Sequence, residues 1–113
     1  MRFDVVDLGP SALKLVLVGR LDATTVGMVE TPFTATVAAS GKSAVLDMTG
    51  LEFLSSLGIR LLLSATRVVS RRGGKVVLFG AQPMVAEVLE AMALGDLLPA
   101  VGTEAEAMAH LVA

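Results

Sequence analysis

The chain has 113 residues, enough for one domain with a real core and too few for two. Apolar residues make up 54% of it and mean hydropathy is +0.76, which calls for a densely buried sheet, an exposed apolar docking surface, or both. A net charge of −2 argues against general nucleic-acid binding, and the absence of cysteine excludes disulfides, thiolate catalysis and cysteine-based metal sites.

In chain order, Phe3 to Asp7 and Leu13 to Val18 read as strands, and Gly9-Pro10-Ser11 between them has the residues of a tight turn, so an antiparallel hairpin is predicted. After Asp22, Val26, Val29, Phe33 and Val37 recur at helical spacing, with Gly27 and Pro32 interrupting. A helix with a break or a late start is expected there, with Pro32 in its first turn. Ser43 to Met48 and Lys75 to Phe79 are short apolar runs, each followed by a helical pattern, and suit buried parallel strands joined by crossover helices. The first of those helices is predicted over Ser56 to Arg72 and ends at Gly73-Gly74. Pro83 to Ala93 reads as a third helix and Leu97 to Val101 as an edge strand. Thr103 to Val112 reads as a last helix, capped by Thr103 with Glu106 three residues on. The expected fold is a single two-layer α/β domain over 1–113: a mixed sheet of about five strands, an N-terminal antiparallel hairpin and about four helices, with no linker or repeat.

The longest charge-free runs, Thr31 to Gly41 and Val76 to Ala86, fall far short of the roughly 20 residues a membrane span needs. Met1-Arg2-Phe3-Asp4 leads straight into a strand pattern, unlike a secretory leader, so a cytoplasmic location without direct membrane insertion is expected.

The chemistry concentrates at the start of the second helix. At 100° per residue, Leu57, Ile59, Leu61, Leu62, Ala65, Val68 and Val69 fall on one apolar arc, while Ser56, Arg60, Ser64, Arg67 and Arg71 line up as a polar stripe. A phosphate on Ser56 would meet unpartnered N–H groups and the positive end of the helix dipole, and Arg60, one turn on, could add a charge-assisted hydrogen bond. The plain alternative is that a hydroxyl at this place only caps the helix. Leu63 falls inside the polar arc, which predicts an exposed docking contact. Met84, Met92 and Met108 stand at helical spacing and are expected in the core, with an adaptable binding face as the other reading. The arginines between Arg60 and Arg72 have no aromatic neighbour for base stacking and read as a solvated face or a protein-docking patch.

The stretch from Val45 to Gly58 resembles the signature of STAS domains, the family of anti-sigma-factor antagonists and of the cytoplasmic tails of sulfate transporters. Its parts are the strand reaching Asp47, the aromatic Phe53, and Ser55-Ser56-Leu57-Gly58 at a helix start. Gly19-Arg20-Leu21-Asp22 is similar to the Gly-x-Leu/Ile-Asp that closes the family's second strand, and with the order of elements the likeness covers most of the chain. The resemblance places the phosphorylatable serine at Ser56, and the family's acidic loop residues at Asp22 and Asp47. Two departures stand out: Ser55 replaces the usual acidic residue before the acceptor, and Leu57 replaces the small or hydroxylic residue after it. Ser55 competes with Ser56 as cap or acceptor, and the reading favoured is Ser56 as acceptor and Ser55 as cap.

Enzymatic readings find little support. His110 is the single histidine and has no motif around it, and Arg72-Gly73-Gly74-Lys75 precedes a strand where a phosphate-binding loop would precede a helix. No catalysis, cofactor or metal is expected. Val45-Leu46-Asp47-Met48 is also similar to the phospho-aspartate strand of response-regulator receivers, but Asp7 stands alone where such a receiver needs an acidic pair, and Lys75 begins a strand where its lysine should end one. The resemblance implies an anti-sigma-factor antagonist working in signal transduction and transcription regulation by partner switching. Its partners would be a serine kinase of the histidine-kinase-like ATPase type, acting as anti-sigma factor, and a phosphatase. Asp22, Asp47, Ser55, Ser56, Arg60, Leu63 and Arg67 would form the contact surface on a monomer or weak homodimer. The alternative is a non-phosphorylated STAS adaptor subunit of an ABC-type phospholipid transport complex. Small-nucleotide binding is compatible with the resemblance but has no motif of its own here.

Overall fold

Parallel strands in consecutive order, joined by right-handed crossovers, must carry their connecting helices on one face of the sheet. The computed structural model, which describes residues 1–112, has this arrangement. β1 (Arg2–Asp7) pairs antiparallel with β2 (Ala12–Leu21); β3 (Ser43–Leu54), β4 (Val76–Phe79) and β5 (Ala100–Val101) follow in parallel, in the order β1-β2-β3-β4-β5. Helices α1 (Ala23–Ser40), α2 (Ser56–Arg71) and α3 (Pro83–Ala91) bury Val26, Val29, Phe33, Val37, Ile59, Leu62, Val69, Val85 and Leu89 in one core with Leu13, Leu15, Leu17, Leu46, Met48 and Leu78 of the strands. Phe3 of β1 stacks edge-on against Phe33 of α1, with ring centroids 5.4 Å apart.

Helix α4 (Glu104–Leu111), after β5, packs on the opposite face. There Ala107, Met108 and Leu111 pack with Val45, Val77 and Phe79, which point away from the main core because side chains alternate along a strand. Thr103 caps α4, its Oγ accepting the Glu106 N–H, and Lys14 Nζ meets Glu104 Oε1 at 2.8 Å. The two layers thus gain a third, partial one at the β3–β5 end.

Several boundaries differ from the sequence expectation. α1 has no break or late start: it runs unbroken through Pro32, which lies mid-helix instead of in the first turn. A proline inside a helix costs about 3 kcal/mol. Here the buried residues Val26, Val29, Phe33 and Val37 lie on both sides of it, Pro32 itself faces solvent, and packing of the whole apolar stripe overrides the local penalty. β3 does not stop at Met48 but continues to Leu54, because β2 runs beside it to Leu21 through two register shifts. β5 shrinks to Ala100–Val101, since Leu97 and Leu98 both donate their N–H groups to the Leu94 carbonyl and close a helical turn where strand was expected. Met84 (63% exposed) and Met92 (49%) lie outside the core, against the expectation for them, whereas Met108 packs under α4. No helix among the described residues is long and apolar enough to cross a membrane.

Candidate functional site

β2 and β3 project past the other strands, so the turns that follow them share one end of the sheet. The Ser55 N–H donates to the Leu21 carbonyl at 2.9 Å, tying the β3–α2 junction to the end of β2. From there α2 begins. Ser55 is its N-cap in extended conformation: its Oγ accepts the Gly58 N–H at 3.1 Å and its carbonyl accepts the Ile59 N–H at 2.9 Å. Ser56 is the first helical residue; it is exposed, and its hydroxyl makes no hydrogen bond among the described residues. The cap is therefore Ser55, and the free hydroxyl at the positive end of the helix is Ser56.

Gly58 explains the glycine of the motif. A Cβ there would lie 2.9 Å from Leu21 Cγ, 2.9 Å from Leu54 Cδ1 and 3.0 Å from the Leu21 carbonyl oxygen. The first turn of α2 is thus seated directly on the ends of β2 and β3, which fixes where Ser56 points.

Leu57 does not join the buried arc as the helical wheel suggested and is 40% exposed. It belongs to neither apolar cluster of the domain. Leu63 departs the other way. Expected exposed, it is half-buried and packs against the main core, because α1 lies alongside α2 and widens the buried arc. The exposed apolar side chain next to Ser56 is Leu57.

The arginines divide into two groups. Arg60, Arg67 and Arg71 are exposed and make no ion pair or hydrogen bond among the described residues. Arg72 instead reaches the end of α1, donating to the Val37 carbonyl at 2.9 Å, the Ala38 carbonyl at 3.3 Å, Ser40 Oγ at 3.4 Å and the Lys42 carbonyl at 2.7 Å. α1 has no basic residue in its own last turn, and Arg72 supplies the cation its C-terminus lacks. Arg72 thus has a structural role at the end of α1 that Arg60, Arg67 and Arg71 do not share.

Asp22 belongs to the same end of the sheet. It caps α1, with Oδ1 accepting the Thr24 and Thr25 N–H groups at 3.1 Å each, while Thr25 Oγ1 accepts the Asp22 N–H at 2.9 Å. The Thr25 amide does most to hold its carboxyl below the ordinary value of 3.8; burial, the next-largest effect, opposes it, and the Thr25 hydroxyl, the Thr24 amide and the Arg20 charge add to the lowering. Asp47 is not at this end. It sits in the middle of β3 between Val16 and Phe79, its Oδ1 accepting both the amide and the hydroxyl of Thr49, on the sheet face that α4 partly covers. The structure does not bring it together with Ser56, because β3 runs on beyond it to Leu54.

The sequence reading missed Arg20. Its guanidinium lies 4.4 Å from the centroid of the Phe53 ring and 3.9 Å from Asp22 Oδ2, joining the ends of β2 and β3 by a cation–π contact. Phe53 stands out in the sequence as a motif aromatic, but its partner follows from the register that puts Arg20 beside it. No grouping of three or more His, Asp or Glu side chains that could hold a metal occurs among the described residues.

The profile of the STAS domain family matches residues 6–107. Among solved structures, a protein from Thermotoga maritima described as a putative anti-sigma factor antagonist superposes with a TM-score of 0.87 at 17% identity, over 98% of this chain and 95% of that one. An anti-sigma-factor antagonist (STAS) domain protein from Planctomyces limnophilus gives 0.85 at 22% identity, over 98% of each chain. The anti-sigma factor antagonist SpoIIAA in its unphosphorylated form gives 0.78 at 22% identity, over 95% and 93%. No curated protein sequence is similar enough to count as a match. With the family profile covering nearly the whole described chain, and with this sheet order and helix placement shared by those structures, the chain belongs to the STAS domain family.

Proposed function

We propose that this domain is a partner-switching regulator of the anti-sigma-factor antagonist type. It binds a serine kinase of the histidine-kinase-like ATPase type in the cytoplasm, frees that kinase's client sigma factor, and is released when Ser56 is phosphorylated; a phosphatase restores it. The domain acts by binding and performs no catalysis of its own. The observation that carries this reading is the split between the two serines: Ser55 takes the capping bond, and the Ser56 hydroxyl is left exposed and unbonded at the first position of α2. Support comes from the fold shared with SpoIIAA, whose structure is known in both unphosphorylated and phosphorylated forms, the latter at 22% identity and a TM-score of 0.70.

The mechanism is local and electrostatic. Leu57 provides the apolar contact beside Ser56, Arg60 and Arg67 the charged flank along α2, and Asp22 and Ser55 the adjoining strand-end surface. A phosphoserine adds about −1.5 to −2 charges to the middle of that contact. Taking that charge out of water, or setting it against partner carboxylates, costs several kcal/mol, and every 1.4 kcal/mol is about tenfold in affinity. Inside the free protein the same phosphate meets the positive end of α2 and the Arg60 guanidinium, which stabilise the released form.

Exposed Leu57, in the place of a small or hydroxylic residue, also suits a permanent contact, and so gives the adaptor reading a specific footing. Phosphosite mapping of the tryptic peptide 43–60, from native cells under growth and stress, separates the two. Condition-dependent phosphate on Ser56 is expected. Neither serine ever modified, together with stoichiometric co-purification with a transporter ATPase, would replace the switch by the adaptor.

A further inference from the structure

At the carboxyl ends of β4 and β5, the sheet, α3 and the segment after it enclose a half-open cavity of about 690 Å³. It lies apart from Ser56, because β4 stops at Phe79, opposite Asp47, while β3 runs on to Leu54 before α2 begins. Its volume falls in the range of about 300–1,000 Å³ that holds small ligands. The place, outside the carboxyl ends of parallel strands, is where open α/β sheets bind them.

A close-packed protein does not ordinarily leave such a space. Here the buried Leu89 and Leu98 lie at its base, while Ala86 and Ala100 put only methyl side chains into the walls, where a larger apolar residue would narrow the cavity. The wall after α3 turns at Ala93, whose φ of +53° is a left-handed conformation that helix ends usually assign to glycine. After that turn Leu94, Gly95 and Leu98 complete the lining, with the Leu97 and Leu98 N–H groups both donated to the Leu94 carbonyl.

The lining selects the ligand. No lysine, arginine or aromatic ring contributes to it among the described residues, so a phosphate or a carboxylate finds no charged partner and a base no ring to stack on. The charged side chain in the lining is Glu90, solvent-exposed and therefore at the rim. We propose that this cavity binds an aliphatic amine, its alkyl body against Leu89 and Leu98 and its ammonium group at the Glu90 carboxylate.

The test is calorimetric titration with amide chemical-shift mapping of the full chain, using decylamine, 1-decanol and decanoate below their aggregation limits. Saturable decylamine binding is expected, with shifts confined to residues 80–102, weaker binding of 1-decanol and weakest of decanoate. Ala86→Leu and the more exposed Ala100→Leu, which narrow the cavity, should each weaken it by about fivefold or more; if the first does not fold, the second still decides. Glu90→Gln should lower decylamine affinity roughly two- to fivefold, the size of a surface ion pair, and leave 1-decanol unchanged. Absence of saturable decylamine binding, shifts spread outside the cavity, undiminished affinity in the leucine variants, or decanoate binding as well as decylamine would each overturn the assignment.

Discussion

Ser55 Oγ accepts the N–H of Gly58 at 3.1 Å, and this bond assigns different work to two adjacent serines. Ser55→Ala should cost about 1 kcal/mol, the usual value of an N-cap, and lower the melting temperature by roughly 4–8 °C in a domain of this size. Ser56→Ala, which removes no bond, should stay within about 0.5 kcal/mol of the parent. Urea and thermal unfolding of both variants decide; equal losses would mean that the two serines share the cap.

Gly58 and Gly27 are both helical glycines, yet they should respond in opposite directions. Alanine at Gly58 meets Leu21 and Leu54 below van der Waals distance, and overpacking of about 1–3 kcal/mol should outweigh the helix-propensity gain of about 1 kcal/mol. At Gly27 nothing lies within 4 Å of the added Cβ, so alanine should stabilise α1 by about 0.5–1 kcal/mol. Denaturation midpoints of the two variants check the pair.

Arg72→Ala should cost about 1–2 kcal/mol, because it strips a cation and its hydrogen bonds from the end of α1. Arg67→Ala should leave unfolding within about 0.5 kcal/mol of the parent and act, if anywhere, on partner affinity. Finding the larger stability loss at Arg67 would reverse this division of the arginines.

Leu57→Asp should weaken partner binding at least about tenfold while leaving stability nearly unchanged, since the side chain is already 40% exposed. Leu63→Asp should instead destabilise the domain by about 2 kcal/mol or more, because it sets a carboxylate among the partly buried contacts of α2. Unfolding curves, read beside binding to the purified partner, separate the two effects.

The acid limb of stability should carry the signature of Asp22. Its carboxyl is held below 3.8 by the capping bonds of Thr25 and Thr24, and that of Asp7 is lowered by the Lys42 ammonium and the Gly9 amide. A depressed folded-state pKa contributes stability that is present above 3.8 and is lost as pH falls through the folded value. Asn caps as well as Asp but does not titrate there, so Asp22→Asn should decline less steeply with acid than the parent. Parallel curves of unfolding midpoint against pH, taken from neutral downwards, would contradict this.

Much of this architecture was legible in the residues. Apolar period 2 and period 3.6 marked the hairpin, the buried strands and α2, and Thr103 with Glu106 marked the start of α4, because these signals depend only on neighbours along the chain. Ser55-Ser56-Leu57-Gly58 likewise announced a helix start bearing a spare hydroxyl. The end of β3 was not legible, since a strand extends as far as its neighbour pairs with it, and β2 lies at a distance in sequence. Nor was the survival of α1 through Pro32, which rests on a buried stripe that forms only when the helix docks.

The sequence by itself therefore determined the elements, their order and the family, because periodicity, caps and turn residues are local physics. The tertiary structure alone decided which leucine faces outward at the site, which arginine is spent on α1, that Asp47 sits away from Ser56 and that Arg20 stacks on Phe53. Each of these depends on which surface a neighbouring element covers, and no window of the chain contains that neighbour.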